Sequence, residues 1–271
     1  MRVLITGSSG FLGAEIKKLL SKNKYKCRFL IRRNKRKLNH YYCPLQNHKN
    51  LKLILDKIKP DVIVNLAAEV NFKKKTKNMY NVNSEPLKIF SNYCIKEGKH
   101  LIQSSGTLVN GDHKIYSHKT KFKPKNHYGK SKLLAEKYII KSGCAYTILR
   151  FGGIYGEKGP SHLGINNFIR NAIKGKRQEF TGNPKSKRNY IYVRDAAKII
   201  KKCIDKKIYG IFYAGGKVLT FEEMIKKINS KFGKKRIILI KSTNEPVKHQ
   251  IIKNDKIIEL TPFLKSLSLM K

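Results

Sequence analysis

Residues 2–13 read RVLITGSSGFLG, and this segment predicts a strand, a tight turn and a helix. Residues 3–5 are an apolar run typical of a buried strand, and beyond Gly13 the apolar residues recur at helical spacing. Backbone N–H groups at the start of such a helix bind anions, because the helix dipole favours negative charge there. Gly7 allows the tight turn, Gly10 the approach of a pyrophosphate, and Gly13 close packing of helix on strand. The position of these glycines between a strand and a helix favours dinucleotide binding.

Length and composition limit the class of protein. With 271 residues the chain suits one compact α/β unit and a small appendage. No apolar run reaches the roughly 18–20 residues of a membrane-spanning helix. The N-terminus leads directly into the first strand and does not resemble a signal peptide. The five cysteines are scattered without metal-ligand spacing, and neither do the eight histidines show it. We therefore expect a cytoplasmic protein with no membrane partner and no metal site.

The formal net charge of +43 has two interpretations. Clustered Lys and Arg neutralise phosphates in nucleic-acid-binding proteins. Alternatively, Lys has replaced other polar residues over the whole solvated surface. The lysines are spread between the apolar positions of the predicted helices, which favours the second interpretation. Nucleic acid is not the expected partner, although a basic field attracts an anionic substrate or cofactor.

Strand and helix signals alternate along the chain, which indicates βαβ crossovers and a parallel sheet. The predicted strands include residues 27–31, 61–68, 101–103 and 145–149, and the predicted helices include residues 51–58, ended by Pro60, and one long helix over 79–96. We predict a doubly wound parallel α/β sheet of the Rossmann type. The expected division is an NAD(P)-binding domain over 1–160, with contributions from 188–215, and a small C-terminal α/β substrate-binding portion over 161–271.

The end of the second strand bears on the choice of cofactor. An acidic residue there binds the ribose 2′-hydroxyl of NAD, whereas an Arg accommodates a 2′-phosphate. The strand ends in Arg32 and Arg33, and no Asp or Glu occurs between Glu15 and Asp56. NADP is therefore the predicted cofactor, with NAD as the alternative.

Tyr128 and Lys132 are one helical turn apart and share a face of a predicted helix. An adjacent ammonium lowers the pKa of a Tyr hydroxyl from its usual value near 10 and prepares it for acid or base catalysis. The same Lys can bind a nicotinamide ribose. A hydroxyl at the end of a neighbouring strand, where Ser104, Ser105 and Thr107 occur, would polarise a substrate carbonyl.

Six motifs in order resemble those of the extended short-chain dehydrogenases/reductases, in the branch of nucleotide-sugar epimerases, dehydratases and reductases. They are TGSSGFLG (6–13), DVIVNLAA (61–68), SSGTLVNG (104–111), YGKSK (128–132), LRFGGIYG (149–156) and RNYIYVRDAA (188–197). The resemblance covers nearly the whole chain.

The resemblance implies a role for each matching residue. Tyr128 and Lys132 would be catalytic, and Ser105 or Thr107 would polarise the carbonyl. The cofactor would contact Gly7, Ser9, Gly10, Phe11, Leu12, Gly13, Arg32, Arg33, Ala67, Ala68, Tyr128, Lys132 and Phe151. The substrate would contact Ser105, Arg188 at its diphosphate, and Asn167. Members of this family often form homodimers, so a homodimer is expected.

The chain departs from the family pattern at four places, the first being Asn110, which replaces the usual Tyr. Counting back from Gly111, the catalytic hydroxyl position falls on Gly106, so Ser105 or Thr107 must serve instead. Leu108 and Val109 replace the Asp-Glu pair of the 4,6-dehydratases, which removes the acid and base needed to eliminate water. Gly153 stands where sugar epimerases often carry a substrate-binding Asn.

The predicted function is reduction of a 4-keto nucleotide-diphosphate sugar by NADPH, with Tyr128 as proton donor. An NAD-dependent nucleotide-sugar 4-epimerase is the alternative. A more remote one is a non-catalytic NADP-binding regulator or nucleic-acid-associated protein.

Overall fold

A computed structural model describes residues 1–21, 25–32, 38–73, 76, 78–232, 238–241 and 245–270. The strands are β1 (Arg2–Thr6), β2 (Lys26–Ile31), β3 (His40–Tyr42), β4 (Val62–Asn65), β5 (His100–Gly106), β6 (Ile115–Tyr116), β7 (Ala145–Phe151), β8 (Ile154–Tyr155), β9 (Gln178–Thr181), β10 (Lys187–Arg188), β11 (Ile191–Tyr192), β12 (Gly210–Ala214), β13 (Leu219–Thr220), β14 (Ile238–Lys241) and β15 (Ile251–Ile252). The helices are α1 (Phe11–Ser21), α2 (His48–Ile58), α3 (Met79–Asn83), α4 (Glu85–Lys96), α5 (His127–Ser142), α6 (Gly164–Ile173), α7 (Val193–Lys206), α8 (Phe221–Phe232) and α9 (Phe263–Ser268), with a 3₁₀ turn at Thr107–Val109.

The chain divides into two compact units, and neither is continuous in sequence. Unit 1 comprises Met1–Asp112, Lys121–Arg150 and Ala197–Phe212. Unit 2 comprises His113–Thr120, Phe151–Ala196 and Tyr213–Lys271. The functional division predicted at residue 160 stays a prediction.

A seven-stranded parallel sheet dominates unit 1, in the order β12-β7-β5-β4-β1-β2-β3, and helices flank it. β1 lies between β2 and β4, with Val3 opposite both Cys27 and Val62. The chain order reverses at β1, since β2 and β3 lie on one side of it and β4, β5 and β7 on the other. Such a reversal creates a crevice at the carboxyl ends of the strands, where ligands bind. The predicted Rossmann-type sheet is confirmed.

Both faces of this sheet are buried. Leu4, Ile63 and Leu101 point to one face, where they pack with apolar residues of α2, α4 and α5. Val3 and Ile5 are also fully buried, and alternation along a strand places them on the opposite face. Strands covered on both sides are typically continuous apolar runs, as the sequence of β1 indicated.

Two predicted elements have different bounds. β4 ends at Asn65, so the strand predicted over 61–68 is too long. The long helix predicted over 79–96 is wrong, because it is two helices separated at Ser84. Pro86 lies in the first turn of α4, where its missing N–H costs no intrahelical bond, and its ring disfavours a helix continuing from the preceding residues. In contrast, α2 carries the predicted buried stripe and ends beside Pro60.

Unit 2 is built from small two-stranded sheets. β10 pairs with β13 antiparallel, whereas β8 with β11, β9 with β14 and β6 with β15 are parallel pairs. Tyr155 is a centre of packing, since its ring contacts Tyr192 and Phe263 and its hydroxyl bonds Ser266 at 2.6 Å. This unit therefore depends on aromatic contacts and buried hydrogen bonds rather than on one continuous sheet.

Candidate active site

The turn between β1 and α1 has the backbone conformation and the close packing that its glycines predicted. Gly7 has φ of 67°, a left-handed conformation that glycine adopts without strain. A Cβ at Gly13 would lie 2.1 Å from the Gly7 carbonyl oxygen, so no side chain fits there. Ser9 and Gly10 are exposed, directly before the first residue of α1. The turn thus presents the N-terminus of α1 to solvent, an arrangement suited to a phosphate group.

Hydrogen bonds connect this turn to the neighbouring strand ends. The Thr6 hydroxyl donates to Asn65 Oδ1 at 2.5 Å, and Asn65 Nδ2 donates to Gln103 Oε1 at 2.7 Å. Gln103 Nε2 donates to the Ser104 carbonyl at 2.7 Å, and Lys132 Nζ donates to the same oxygen at 2.6 Å. The glycine-turn strand and the predicted catalytic Lys therefore belong to one polar chain. The sequence offered no signal for Gln103.

Asn126 determines where α5 begins, because its side chain accepts the Gly129 N–H at 2.8 Å as an N-cap. This start places Tyr128 and Lys132 in the first two turns of α5. Lys132 is 5% exposed, and burial lowers the pKa of its ammonium to about 8, opposed by the Glu136 carboxylate. Both residues of the predicted pair therefore lie on one face of α5, with Lys132 buried and Tyr128 partly buried.

Tyr128 differs from the expectation in one respect. Its ring meets Phe72 edge-on at 5.4 Å between centroids. Burial raises the pKa of its hydroxyl to about 12, opposite to the lowering expected from an adjacent ammonium. The Lys132 ammonium is directed to the Ser104 carbonyl. In the chain alone Tyr128 is a protonated phenol at neutral pH.

The two candidate hydroxyls occupy different surroundings. Ser105 is buried, and its hydroxyl donates to Glu136 Oε1 at 2.5 Å. The Glu136 carboxylate also accepts from Arg150 at 2.6 Å, with both side chains almost fully buried. Thr107 is partly exposed at the start of the 3₁₀ turn. The Ser105 hydroxyl is thus bonded to a buried ion pair, whereas Thr107 is partly accessible to solvent. Which of the two would polarise the carbonyl stays a prediction.

Sequence reasoning missed the structural role of Asn83. Its side chain accepts the Glu69 N–H at 2.7 Å and donates to the Glu69 carbonyl at 2.9 Å. It also donates to the Ser131 hydroxyl at 2.9 Å. Asn83 is 1% exposed. It therefore ties the loop after β4 to α5, three residues beyond Tyr128.

The remaining predicted cofactor residues of unit 1 have varied surroundings. The Ala67 N–H donates to the Thr6 hydroxyl, and the Ala67 backbone packs against Gly7. Ala68 is exposed. Arg32 is exposed directly after β2, and Arg33 lies outside the described residues.

The Arg188 side chain of unit 2 contacts two backbone carbonyls and an aromatic ring. Its guanidinium donates to the carbonyls of Lys187, at 2.9 Å, and Lys248, at 2.5 Å. It also lies 5.4 Å from the ring centre of Phe221. Burial lowers the pKa of Arg188, and the neighbouring Tyr190 opposes that shift. Among the described residues it has no carboxylate partner.

Asn167 and Phe151 also belong to unit 2. Asn167 donates to the Ser161 carbonyl at 2.8 Å and accepts from Arg170 at 2.7 Å. Its amide therefore already has two protein partners. Phe151 is 3% exposed at the end of β7.

Gly153 leaves space that the ring of Tyr190 fills. A Cβ at Gly153 would lie 2.5 Å from Tyr190 Cδ1. The side chain that sugar epimerases carry at this position therefore has no room here while Tyr190 keeps its place.

The described residues contain neither a candidate membrane-spanning helix nor a candidate metal-binding cluster. Within the described ranges, no helix combines the length and apolar character that crossing a membrane requires. In that same part of the chain, no group of three His, Cys, Asp or Glu side chains is arranged to hold a metal ion.

The parallel sheet, the glycine turn and the Tyr128–Lys132 pair define an extended short-chain dehydrogenase/reductase of the nucleotide-sugar branch. Residues 1–254 match the family model described as the RmlD substrate binding domain, and the chain belongs to that family.

Relatives in this family include proteins of several activities. The chain is 28% identical over 222 residues to a GDP-6-deoxy-D-talose 4-dehydrogenase of Aggregatibacter actinomycetemcomitans, covering 77% of this chain and 71% of that protein. Its fold resembles dTDP-4-dehydrorhamnose reductase of Bacillus anthracis in complex with NADP, with a TM-score of 0.80, 22% identity and coverage of 99% and 98%. It also resembles UDP-glucose 4-epimerase of Thermus thermophilus in complex with NAD, with a TM-score of 0.81, 20% identity and coverage of 100% and 97%.

Proposed function

We propose that the chain reduces a 4-keto nucleotide-diphosphate sugar, with NADPH as reductant and Tyr128 as proton donor. The observation that carries this proposal is the Tyr128–Lys132 pair at the start of α5. Lys132 is connected through the Ser104 carbonyl to the strand that bears the glycine turn. Lys132, one helical turn from Tyr128, and the strand that leads into the phosphate-binding turn thus belong to one hydrogen-bonded chain.

The residues of unit 1 fit a dinucleotide. The exposed N-terminus of α1, around Ser9 and Gly10, would bind the pyrophosphate. Arg32 favours a 2′-phosphate over a bare ribose hydroxyl. Lys132 would bind the nicotinamide ribose. NADPH, when bound, supplies the hydride that reduces the sugar carbonyl.

Tyr128 and a hydroxyl at the end of β5 would act on the sugar oxygen. The raised pKa of Tyr128 keeps its hydroxyl protonated at neutral pH, as a proton donor requires. The hydroxyl of Ser105 or Thr107 would hydrogen-bond the carbonyl oxygen and polarise it. Each proton given to the substrate must be replaced, and Lys132, one helical turn from Tyr128, is the proposed source of that proton.

Arg188 supports a diphosphate substrate. A guanidinium that is partly buried without a carboxylate among the described residues favours an anionic ligand. Asn167 is proposed to assist it. The basic charge of the whole chain would increase the rate at which such an anion arrives.

A 4-epimerase is the second candidate, since one structural neighbour is a UDP-glucose 4-epimerase with NAD. In an epimerase the same Tyr would accept a proton when the sugar is oxidised and donate it when the sugar is reduced again. Gly153 and the ring of Tyr190 favour the reductase, because an epimerase-type Asn has no room there. Purified protein that retains one equivalent of NAD and consumes no NADPH would overturn the reductase proposal.

The experiment is an assay of NADPH consumption at 340 nm with 4-keto sugars of different nucleotides, generated in situ. Tyr128→Phe should lower kcat by about 10²–10⁴-fold, the usual contribution of a general acid. Tyr138→Phe is a matched control, because Tyr138 lies on the same helix with its hydroxyl on Glu85. Full activity in Tyr128→Phe would instead support a non-catalytic NADP-binding protein.

We also propose a homodimer and a cytoplasmic location. Sedimentation equilibrium at several protein concentrations tests the first, and fractionation of the source cells tests the second.

A further inference from the structure

Thr6 fixes the direction of the hydrogen-bonded chain that ends on Lys132. Its hydroxyl oxygen accepts the backbone N–H groups of Leu66 and Ala67, at 3.2 and 3.1 Å. The single hydroxyl proton then has to be donated to Asn65 Oδ1. Asn65 must therefore present its amide nitrogen to the next residue in the chain.

Gln103 receives that nitrogen and points its own amide nitrogen the other way. Asn65 Nδ2 donates to Gln103 Oε1, which leaves Gln103 Nε2 to donate to the Ser104 carbonyl. Lys132 Nζ donates to the same oxygen. One carbonyl oxygen thus accepts both an amide N–H and an ammonium N–H. Gln103 is fully buried and Lys132 is 5% exposed, so both donors are held largely inside the protein.

We propose that Gln103 is a positioning residue that controls the place and the charge of the Lys132 ammonium through their shared Ser104 carbonyl. This inference rests on the proposed role of Lys132 in the reaction. The carbonyl oxygen has two lone pairs and accepts both donors, but the partial positive charge of the amide N–H reduces the attraction between this oxygen and the ammonium. Gln103 therefore weakens the hold of the carbonyl on Lys132. The ammonium can then be shared with a cofactor ribose and with Tyr128.

The titratable groups around Lys132 come from two elements. On α5 they are Tyr128 and Glu136, and the Glu136 carboxylate favours the charged form of Lys132. On β7, Arg150 pairs with Glu136 and offsets much of its charge. The β4 and β5 side chains of the hydrogen-bonded chain are neutral. A charge introduced at Gln103 should therefore act strongly on Lys132.

Gln103→Glu tests the inference by placing a carboxylate oxygen where the amide nitrogen was. An opposite charge within about 4–6 Å shifts a pKa by about 1–3 units toward the charged form. The titration midpoint of Lys132 should rise by at least about one unit, a tenfold change in its protonation equilibrium. The midpoint is measured by NMR on protein with ¹³C-labelled lysine, and the signal is assigned with Lys132→Arg.

Gln103→Met keeps the test decisive if the Glu variant does not fold. It removes the competing amide donor, so the midpoint should rise by less than in Gln103→Glu. Thr147→Val is the matched control, because it also removes a fully buried hydrogen-bonding side chain, in this case one that contacts His100. It should leave the Lys132 midpoint unchanged.

Three results would contradict the proposal: a wild-type midpoint in Gln103→Glu, the same in Gln103→Met, or an equal shift in Thr147→Val. NADPH binding, followed by its fluorescence over the same pH range, should lose affinity at a pH that moves with the NMR midpoint. The NMR titration needs no cofactor. Its outcome is therefore separate from that of the proposed function, which fails if the wild-type protein binds neither NADPH nor NADH.

Discussion

His100 should make the stability of this protein sensitive to acid, because protonation of its buried imidazole would destabilise the folded state. It is the first residue of β5 and is 5% exposed. The Thr147 hydroxyl donates to the Ile208 carbonyl, so its oxygen is left to accept from His100 Nε2, at 2.7 Å. His100 Nδ1 is then an unprotonated nitrogen, buried and, among the described residues, without a partner. A proton there would have no acceptor.

The magnitude follows from the pKa of His100, which burial lowers to about 4. In the unfolded chain the pKa is about 6.5. As the pH falls below 6.5 the unfolded chain binds a proton that the folded chain does not, so stability is present above that pH and decreases below it. The loss is about 2 kcal/mol at pH 5 and approaches about 3 kcal/mol near pH 4.

His100→Gln removes this titration and keeps an amide that can donate to Thr147. The free energy of unfolding should be measured from urea denaturation followed by circular dichroism, since the chain contains no Trp. Between pH 7.5 and 5 the wild-type value should fall by about 2 kcal/mol more than that of the variant. The net positive charge grows in acid as other His and carboxyl groups take up protons, but this contribution is nearly the same in both proteins and cancels. Parallel pH curves for the two proteins would refute the reasoning.

Two other substitutions test the glycine turn and the buried ion pair. Gly13→Ala places a Cβ 2.1 Å from the Gly7 carbonyl oxygen, so NADPH affinity by fluorescence titration should fall at least about tenfold, the loss that follows when about 1.4 kcal/mol of binding energy is removed. Gly164→Ala, where the nearest atom is at an ordinary 3.9 Å, should bind normally, and equal affinity in both variants would contradict this account. Glu136→Gln removes the carboxylate that the buried Arg150 contacts at 2.6 Å and should cost about 3–5 kcal/mol in urea denaturation. The same change at the exposed Glu222 should have little effect, and similar losses at the two sites would contradict the reasoning.

The glycine turn, the parallel sheet and the placement of Tyr128 and Lys132 on one helix could all be predicted from the sequence. The turn and the helix depend on residues close together in the chain, where local sterics determine geometry, and the alternation of strand and helix periods indicated the parallel sheet. The helix break at Ser84 was missed although it is local, because the apolar period continued through it while Pro86 interrupted the backbone. The resemblance to family motifs added expected roles for residues whose spacing alone does not indicate a function.

The tertiary structure determined which side chains share a hydrogen bond. Asn65 reaches Gln103 only because β4 and β5 pair in the register that places them opposite each other. Glu136 meets Arg150 because α5 packs beside β7, and the same carboxylate takes the Ser105 hydroxyl. Burial also reversed the expected pKa of Tyr128. By itself the sequence determined the elements and the chemistry they carry. Register, burial and the competition of donors for one oxygen depend on residues far apart in the chain, and only the folded structure brings those residues together.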